Sequence, residues 1–335
     1  MRERLTEDAL VQALRDALGA PARKLVLGIG DDAAAWKPGK HHLSLITTDM
    51  LVDGIHFRLA ETPPQSLGHK ALAQNLSDIA AMGGSAMLCV IALGIPEHIE
   101  EPWLRELYRG LAALAERTGC AVAGGDIVRS AYLCIGITVV GEVKHSRMKT
   151  RAGARAGDVA AVSGPLGLSA AGLRLIDARR QSAVSPLSAQ RLTQAYLEPQ
   201  ARCREGVFFG ACKAVRAMMD ISDGLSTDLA RMARASNVDA VLSADALTPD
   251  AALLDVARVL ALDARELMLN GGDDYELLVA VEPRAYSHVA RGFQHRFRRP
   301  LRALGKFQTG RGRVWLQDAA GRHELKAGGH DHLRV

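Results

Sequence analysis

The sequence lacks long apolar runs, has few aromatic residues and shows no paired cysteines, and each shortage closes off a class of protein. Nothing in it approaches the roughly 20 consecutive apolar residues of a membrane span. The opening segment, MRERLTEDALVQALRDAL, carries acids on an amphipathic pattern unlike a signal peptide. Cys89, Cys120, Cys134, Cys203 and Cys212 are odd in number, scattered and never in a Cys-x-x-Cys pair, which argues against a disulfide framework or a zinc site. A reducing cytoplasm is the expected compartment, without a membrane partner.

Several catalytic signatures are missing as well. No Gly-x-x-x-x-Gly-Lys-Ser/Thr loop occurs, nor the His-Arg-Asp and Asp-Phe-Gly pair of protein kinases. Ser163 and Ser222 lie in Gly-rich turns without forming Gly-x-Ser-x-Gly, so a nucleophilic hydrolase is disfavoured. Gly28-x-Gly30-x-x-Ala33 superficially matches a dinucleotide fingerprint. Asp31 and Asp32 stand where a pyrophosphate needs backbone amides, and Trp36, Lys37, Pro38 and Gly39 break the helix that should hold it.

What is present is a globular composition of 48% apolar and 24% charged residues over 335 positions, sized for two domains of about 150 residues each. Short apolar runs alternate irregularly with helical patterns, as in α+β layers. A helix is expected over 5–18 after Thr6, another over 66–84, and a helical region over 187–216. Strand-like runs include 42–50, 86–96, 120–126, 132–143 and 217–225. The basic, Gly-rich stretch 144–158 marks the boundary, giving domains 1–146 and 147–335. The net charge is +5, with a late basic cluster at Arg284, Arg291, Arg296, Arg298, Arg299, Arg302, Lys306, Arg311 and Arg313. No aromatic-basic stacking motif accompanies it, so it is read as a solvated surface and no nucleic-acid partner is expected.

Five segments share one design, an apolar run that ends in small residues and then Asp: Asp31/Asp32, Asp49, Asp126, Asp220/Asp223 and Asp273/Asp274. A single such turn means little, because Asp bonds nearby amides in turns. Five at strand ends are expected to converge, and converging carboxylates repel one another unless cations neutralise them. The donors are oxygens, the carboxylates plus the hydroxyls of Thr47 and Thr48, so Mg²⁺ is the expected ion, and it suits a nucleotide site. On the helix over 66–84, Lys70, Gln74 and Asp78 form one stripe while Leu72, Leu76, Ile79 and Ala80 line the buried side. Asp78 is either turned to the metals or a solvated helix acid. Asp53 and Asp228 are read as caps or turn residues.

The motifs GIGDDAA (28–34), TTDMLVDGIHF (47–57), ALAQNLSDIAAMGG (71–84), GGD (124–126), TRAGARAGD (150–158), MDISDGLSTDL (219–229) and NGGDDYEL (270–277) run through nearly the whole chain. Together they closely resemble the thiamine-monophosphate kinase family of the aminoimidazole-ribonucleotide synthetase-like superfamily. The resemblance implies transfer of the γ-phosphate of ATP to thiamine monophosphate, giving thiamine diphosphate. It also implies an N-terminal domain that forms a β-barrel with its symmetry mate in a homodimer, and a C-terminal domain of the superfamily's type.

Carried over by motif, Asp32, Thr47, Thr48, Asp49, Asp78, Asp126, Asp220 and Asp223 would ligate several Mg²⁺ ions. Gly125, Asp126, Arg151, Ser222 and Tyr108 would contact ATP, and His56, Asp273 and His330 the thiamine substrate. The chain departs from the family where Asp273 stands for the usual Glu and His330 for an aromatic. The alternatives are another ATP-dependent synthetase or kinase of the superfamily, a metal-dependent phosphatase, or a basic nucleic-acid-binding protein.

Overall fold

The structure is a computed structural model that describes residues 25–27, 34–36 and 41–329. The expected helix over 5–18, the acids Asp31 and Asp32, and His330 lie outside the described residues. Two sheets organise the rest. The first holds β1 (Leu25–Leu27), β2 (Ala34–Trp36), β3 (His42–Val52), β4 (Ser85–Ile95), β5 (Ala121–Arg129) and β6 (Cys134–Lys144), in the order β1-β2-β3-β6-β4-β5. Its ladders are antiparallel except for the parallel β4–β5 pair.

Strand alternation sorts the first sheet's two faces. Leu43, Leu45 and Leu51 of β3 and Ile135, Ile137 and Val139 of β6 are buried on the inner face. That face is covered by α1 (Pro64–Ala81) and α2 (Glu101–Thr118). Proline at the first helical position starts α1, and Gly119 in the left-handed region ends α2. Among the described residues no helix covers the outer face, and the sheet is open at β1 and β5. The closed barrel implied by the resemblance is therefore not made by this sheet by itself.

The second sheet holds β7 (Val159–Val162), β8 (Val215–Ile221), β9 (Val238–Ser243), β10 (Glu276–Val281), β11 (Arg302–Thr309), β12 (Val314–Asp318) and β13 (Gly321–Glu324), in the order β13-β12-β9-β11-β7-β10-β8. Around it lie α3 (Leu168–Asp177), α4 (Pro186–Leu197), α5 (Cys203–Ala211), α6 (Leu225–Ser236), α7 (Ala251–Leu260), α8 (Ala264–Asn270) and α9 (Tyr286–Phe297). The helical region expected over 187–216 is two helices. Pro199, which has no N–H to donate to a continuing helix, lies in the break between them, and β8 already begins at Val215.

One helix joins the halves. α1 is buried on nearly every side, polar positions Lys70, Gln74 and Ser77 included. The stripe expected to face solvent or metal is instead roofed by the second half of the chain, with α5 seated against the end of α1 through glycines. A Cβ at Gly206 would stand 2.2 Å from the Ala80 carbonyl oxygen.

Candidate active site

Around α1, side chains from both halves come together. The Thr47 hydroxyl, on the inner face of β3, donates a short hydrogen bond to Asp78. One residue earlier on α1, the Ser77 hydroxyl donates to Asp220 Oδ2 at 2.6 Å. Asp220 is 2% exposed near the end of β8. Two turns back on the same helix, Lys70 Nζ donates to Asp273 Oδ2 at 2.8 Å. The i, i+7 and i+8 spacing of these three residues puts them on one side of a helix with 3.6 residues per turn.

Loops at the same end of the second sheet lie against this helix. The Asp273 amide donates to the Ser222 carbonyl at 2.7 Å, tying the loop before β10 to the loop after β8. Asp223 accepts from Arg231, and Asp228 Oδ2 accepts from the amides of both Ser222 and Asp223 at 3.1 Å. Asp228 is thus the turn residue expected, and so is Asp53, whose Oδ1 accepts from the Leu59 amide at 2.9 Å.

Tyr275, buried behind Asp273, donates its hydroxyl to Asp273 Oδ1 at 3.0 Å. Burial first, then the charges of Asp273, Asp49 and Asp220, push its phenol well above the ordinary range. A phenol that feels three carboxylates from three distant segments lies where those segments converge.

His56, in the loop after β3, accepts from the Val52 amide through Nδ1 at 3.0 Å, so in the neutral ring the proton sits on Nε2. Its carbonyl accepts from the Tyr196 hydroxyl at 3.5 Å. Arg151 lies on the linker that runs beside β8, where the Met218 amide donates to the Thr150 carbonyl at 2.9 Å.

Four predicted residues, Thr48, Asp126, Tyr108 and Gly125, stand apart from this group, and strand geometry explains the first two. The expectation that Asp49 and Asp126 follow their strands is corrected, because both lie within strands, β3 continuing to Val52 and β5 to Arg129. Asp49 shares the inner face with Thr47. Thr48 must point the other way, and its hydroxyl donates to the Ile137 carbonyl at 3.1 Å. Asp126 aligns across the ladders with Ala92, Gly136 and Met50 on the outer face, three strand spacings from β3, or about 14 Å. Tyr108 packs against the first half's core from α2, its phenol raised by burial and by Cys89. Gly125 is required by packing, since a Cβ there would meet the Ile91 carbonyl oxygen at 1.9 Å.

Among the described residues no three His, Cys, Asp or Glu side chains stand close enough to hold an ion by themselves. The donor chemistry of the group nevertheless fits a hard cation. It consists of carboxylates and the hydroxyls of Thr47 and Ser77, with no thiol among them. Part of the late basic cluster, Arg311 and Arg313, lies elsewhere. β9 runs in the same direction as β8, so Asp239 at its start lies at the opposite end of the sheet from Asp220. There Arg313 and Arg322 stack on Trp315, at 4.9 and 4.4 Å from the ring centroid, beside a cleft of about 520 Å³. Arg299, by contrast, is engaged internally with Glu205 and Glu276.

Residues 30–143 match the model of the AIR synthase related protein N-terminal domain, and residues 155–310 that of the C-terminal domain. A thiamine-monophosphate kinase of Mycobacterium tuberculosis is 38% identical over 82% of this chain and 80% of its own length. This chain belongs to the thiamine-monophosphate kinase family. Among solved structures, AaThiL complexed with AMPPCP and TMP superposes with a TM-score of 0.84 at 31% identity, covering 98% of this chain and 99% of that one. The thiamine-monophosphate kinase of Stenotrophomonas maltophilia K279a gives 0.76 at 34% identity over 92% of this chain and 94% of its own.

Lys70, Tyr196 and Ser77 join this group in the structure without having been named as site residues from the sequence. Lys70 had a signal, its place on one helical stripe with Asp78. Ser77 and Tyr196 had none, since a helix serine and a helix tyrosine are ordinary until a partner domain is set against them.

Proposed function

We infer that this member of the thiamine-monophosphate kinase family transfers the γ-phosphate of ATP to thiamine monophosphate, giving thiamine diphosphate. The observation that carries the reading is the convergence on α1 of Thr47–Asp78, Ser77–Asp220 and Lys70–Asp273, which joins acidic motifs of both halves. The division proposed is 1–146 for dimerisation and ATP and metal binding, and 147–335 for completing the phosphate and substrate site. A soluble cytoplasmic location is proposed with it, supported by the finding that no helix among the described residues is long and apolar enough to cross a membrane.

Asp49, Asp78, Asp220 and Asp223, with Thr47, are the proposed holders of Mg²⁺. When bound, the ion would screen phosphate charge and stabilise the departing diphosphate. Arg151 would clamp ATP phosphates with its planar fork, and Ser222 would meet the nucleotide from the loop after β8. His56 and Asp273 would orient the acceptor, and His330 is a further acceptor contact proposed from its motif position alone. The acceptor is itself a phosphate with a second pKa near 6, mostly a dianion at neutral pH. No side chain is therefore needed as general base, and in-line attack depends on positioning and charge screening. Thr48, Gly125 and Asp126 lie on the outer face or at its edge strand. They would serve the nucleotide only where that face is covered, as in the proposed homodimer.

The test is ADP release by the full chain with ATP and magnesium, run with and without thiamine monophosphate. Release that depends on the acceptor, with thiamine diphosphate formed in equal amount, is expected. Phosphate release without acceptor would identify a phosphatase instead.

A further inference from the structure

Lys70 is the least expected residue in the assembly. Its side chain is 2% exposed, and a buried ammonium is tolerated only when closely partnered. The partners come from the other half of the chain. Asp273 Oδ2 accepts from Nζ at 2.8 Å, and the Tyr196 ring of α4 lies under the ammonium at 3.9 Å from its centroid, a cation–π contact strengthened by desolvation.

Each partner in turn holds a residue of the proposed acceptor site. The Tyr196 hydroxyl reaches the His56 carbonyl at 3.5 Å. Asp273 takes a left-handed backbone, φ 62°, a conformation uncommon outside glycine. It is fixed there by the hydrogen bond its amide donates to the Ser222 carbonyl at 2.7 Å and by the one its Oδ1 accepts from the Tyr275 hydroxyl at 3.0 Å. Three segments therefore meet at one ammonium, α1, α4 and the loop before β10, and the His56 loop joins them through Tyr196.

We propose that Lys70 is a positioning residue for the acceptor, a pin across the domain interface that sets the Asp273 carboxylate and, through Tyr196, the His56 loop. This deepens the kinase reading and rests on it. The pin is placed on the acceptor side because its two direct partners are Asp273, a proposed acceptor residue, and Tyr196, whose hydroxyl reaches the His56 loop. Lys70→Met keeps most of the buried stem and removes the charge. Asp273 is left at 37% side-chain exposure, where water can solvate it, so the variant should fold.

The experiment is steady-state kinetics of the full-length wild type, Lys70→Met, Asp273→Asn and the double variant, varying each substrate in turn. Lys70→Met is expected to raise KM for thiamine monophosphate about tenfold while moving KM for ATP by less than about twofold, the signature of lost acceptor binding. Adding Lys70→Met to Asp273→Asn should raise it little further, since the two act as one unit. If Lys70→Met does not fold, Tyr196→Leu, which removes the ring and spares the ion pair, should give the same split. Equal movement of both KM values, or none, overturns the proposal and leaves the kinase reading standing. A wild type that does not phosphorylate thiamine monophosphate overturns both.

Discussion

Asp274 shows how one carboxyl can be pulled in opposite directions. Burial raises its pKa first, and the neighbouring charges of Glu276 and Asp273 add to that. The amides of Gly167 and Ser169 at the start of α3 oppose it, with Oδ2 accepting from Gly167 at 2.7 Å. Burial and repulsion win, and the group is raised to about 8. The folded chain thus keeps a proton that the unfolded chain releases near pH 4. The stability tied to it is fully present below about pH 4 and lost as pH rises through about 8. Asp274→Asn keeps an oxygen for the Gly167 amide and removes the titration. Thermal unfolding between about pH 5 and about pH 9 should show a falling wild-type Tm and a flatter profile for the variant; parallel profiles would contradict the assignment. The motifs drew attention to Thr47, Asp78, Asp220 and Asp273, which the structure brings to α1, but such balances were not readable. Asp228 and Asp223 find their amides and arginine within eight residues, whereas Asp273 meets a buried lysine 203 residues away that no local pattern announces.

At the level of elements, α1 does the joining, and its contact with α5 is made backbone to backbone. Gly206 and Gly210 face the end of α1, where a Cβ would come within 2.2 Å of Ala80 O and 3.0 Å of Gly83 O respectively. Carbonyl groups of a packed helix cannot move aside as a side chain can, so Gly206→Ala must push the helices apart. A destabilisation of about 1–3 kcal/mol is expected. Activity should fall further than stability alone explains, because the Ser77–Asp220 bond spans the same seam. Calorimetry and turnover measured together test this, and an unchanged Tm with normal turnover would refute the seam's role. Several elements were legible from periodicity, α1, β4 and β6 among them. The ends of β3 and β5 were not, because Met50-Leu51-Val52 and Ile127-Val128 are themselves strand formers and carry the ladder past each Asp. The buried polar stripe of α1 escaped for a related reason, since its cover is another domain.

The whole molecule leaves one surface unaccounted for. On the outer face of the first sheet Met50 is 58% exposed, Val90 41% and Leu88 36%, and edge strand β5 is exposed along its full length. An open apolar face beside an open strand edge is a surface that soluble proteins ordinarily cover. A second copy of the sheet laid on it is the arrangement proposed for the homodimer, and it would bring Thr48 and Asp126 out of solvent. Val90→Asp puts a charge in the middle of that face while leaving the inner core untouched. The wild type should sediment as a dimer at micromolar concentration. The variant should sediment as a monomer, its association weakened by at least about a hundredfold, the scale set by burying an unpaired charge. If the outer face also completes the nucleotide site, KM for ATP should rise in the variant with KM for thiamine monophosphate less affected, the reverse of the split expected at Lys70. A wild type that is monomeric and fully active would remove the second copy from the mechanism and leave Asp126 without a role in it.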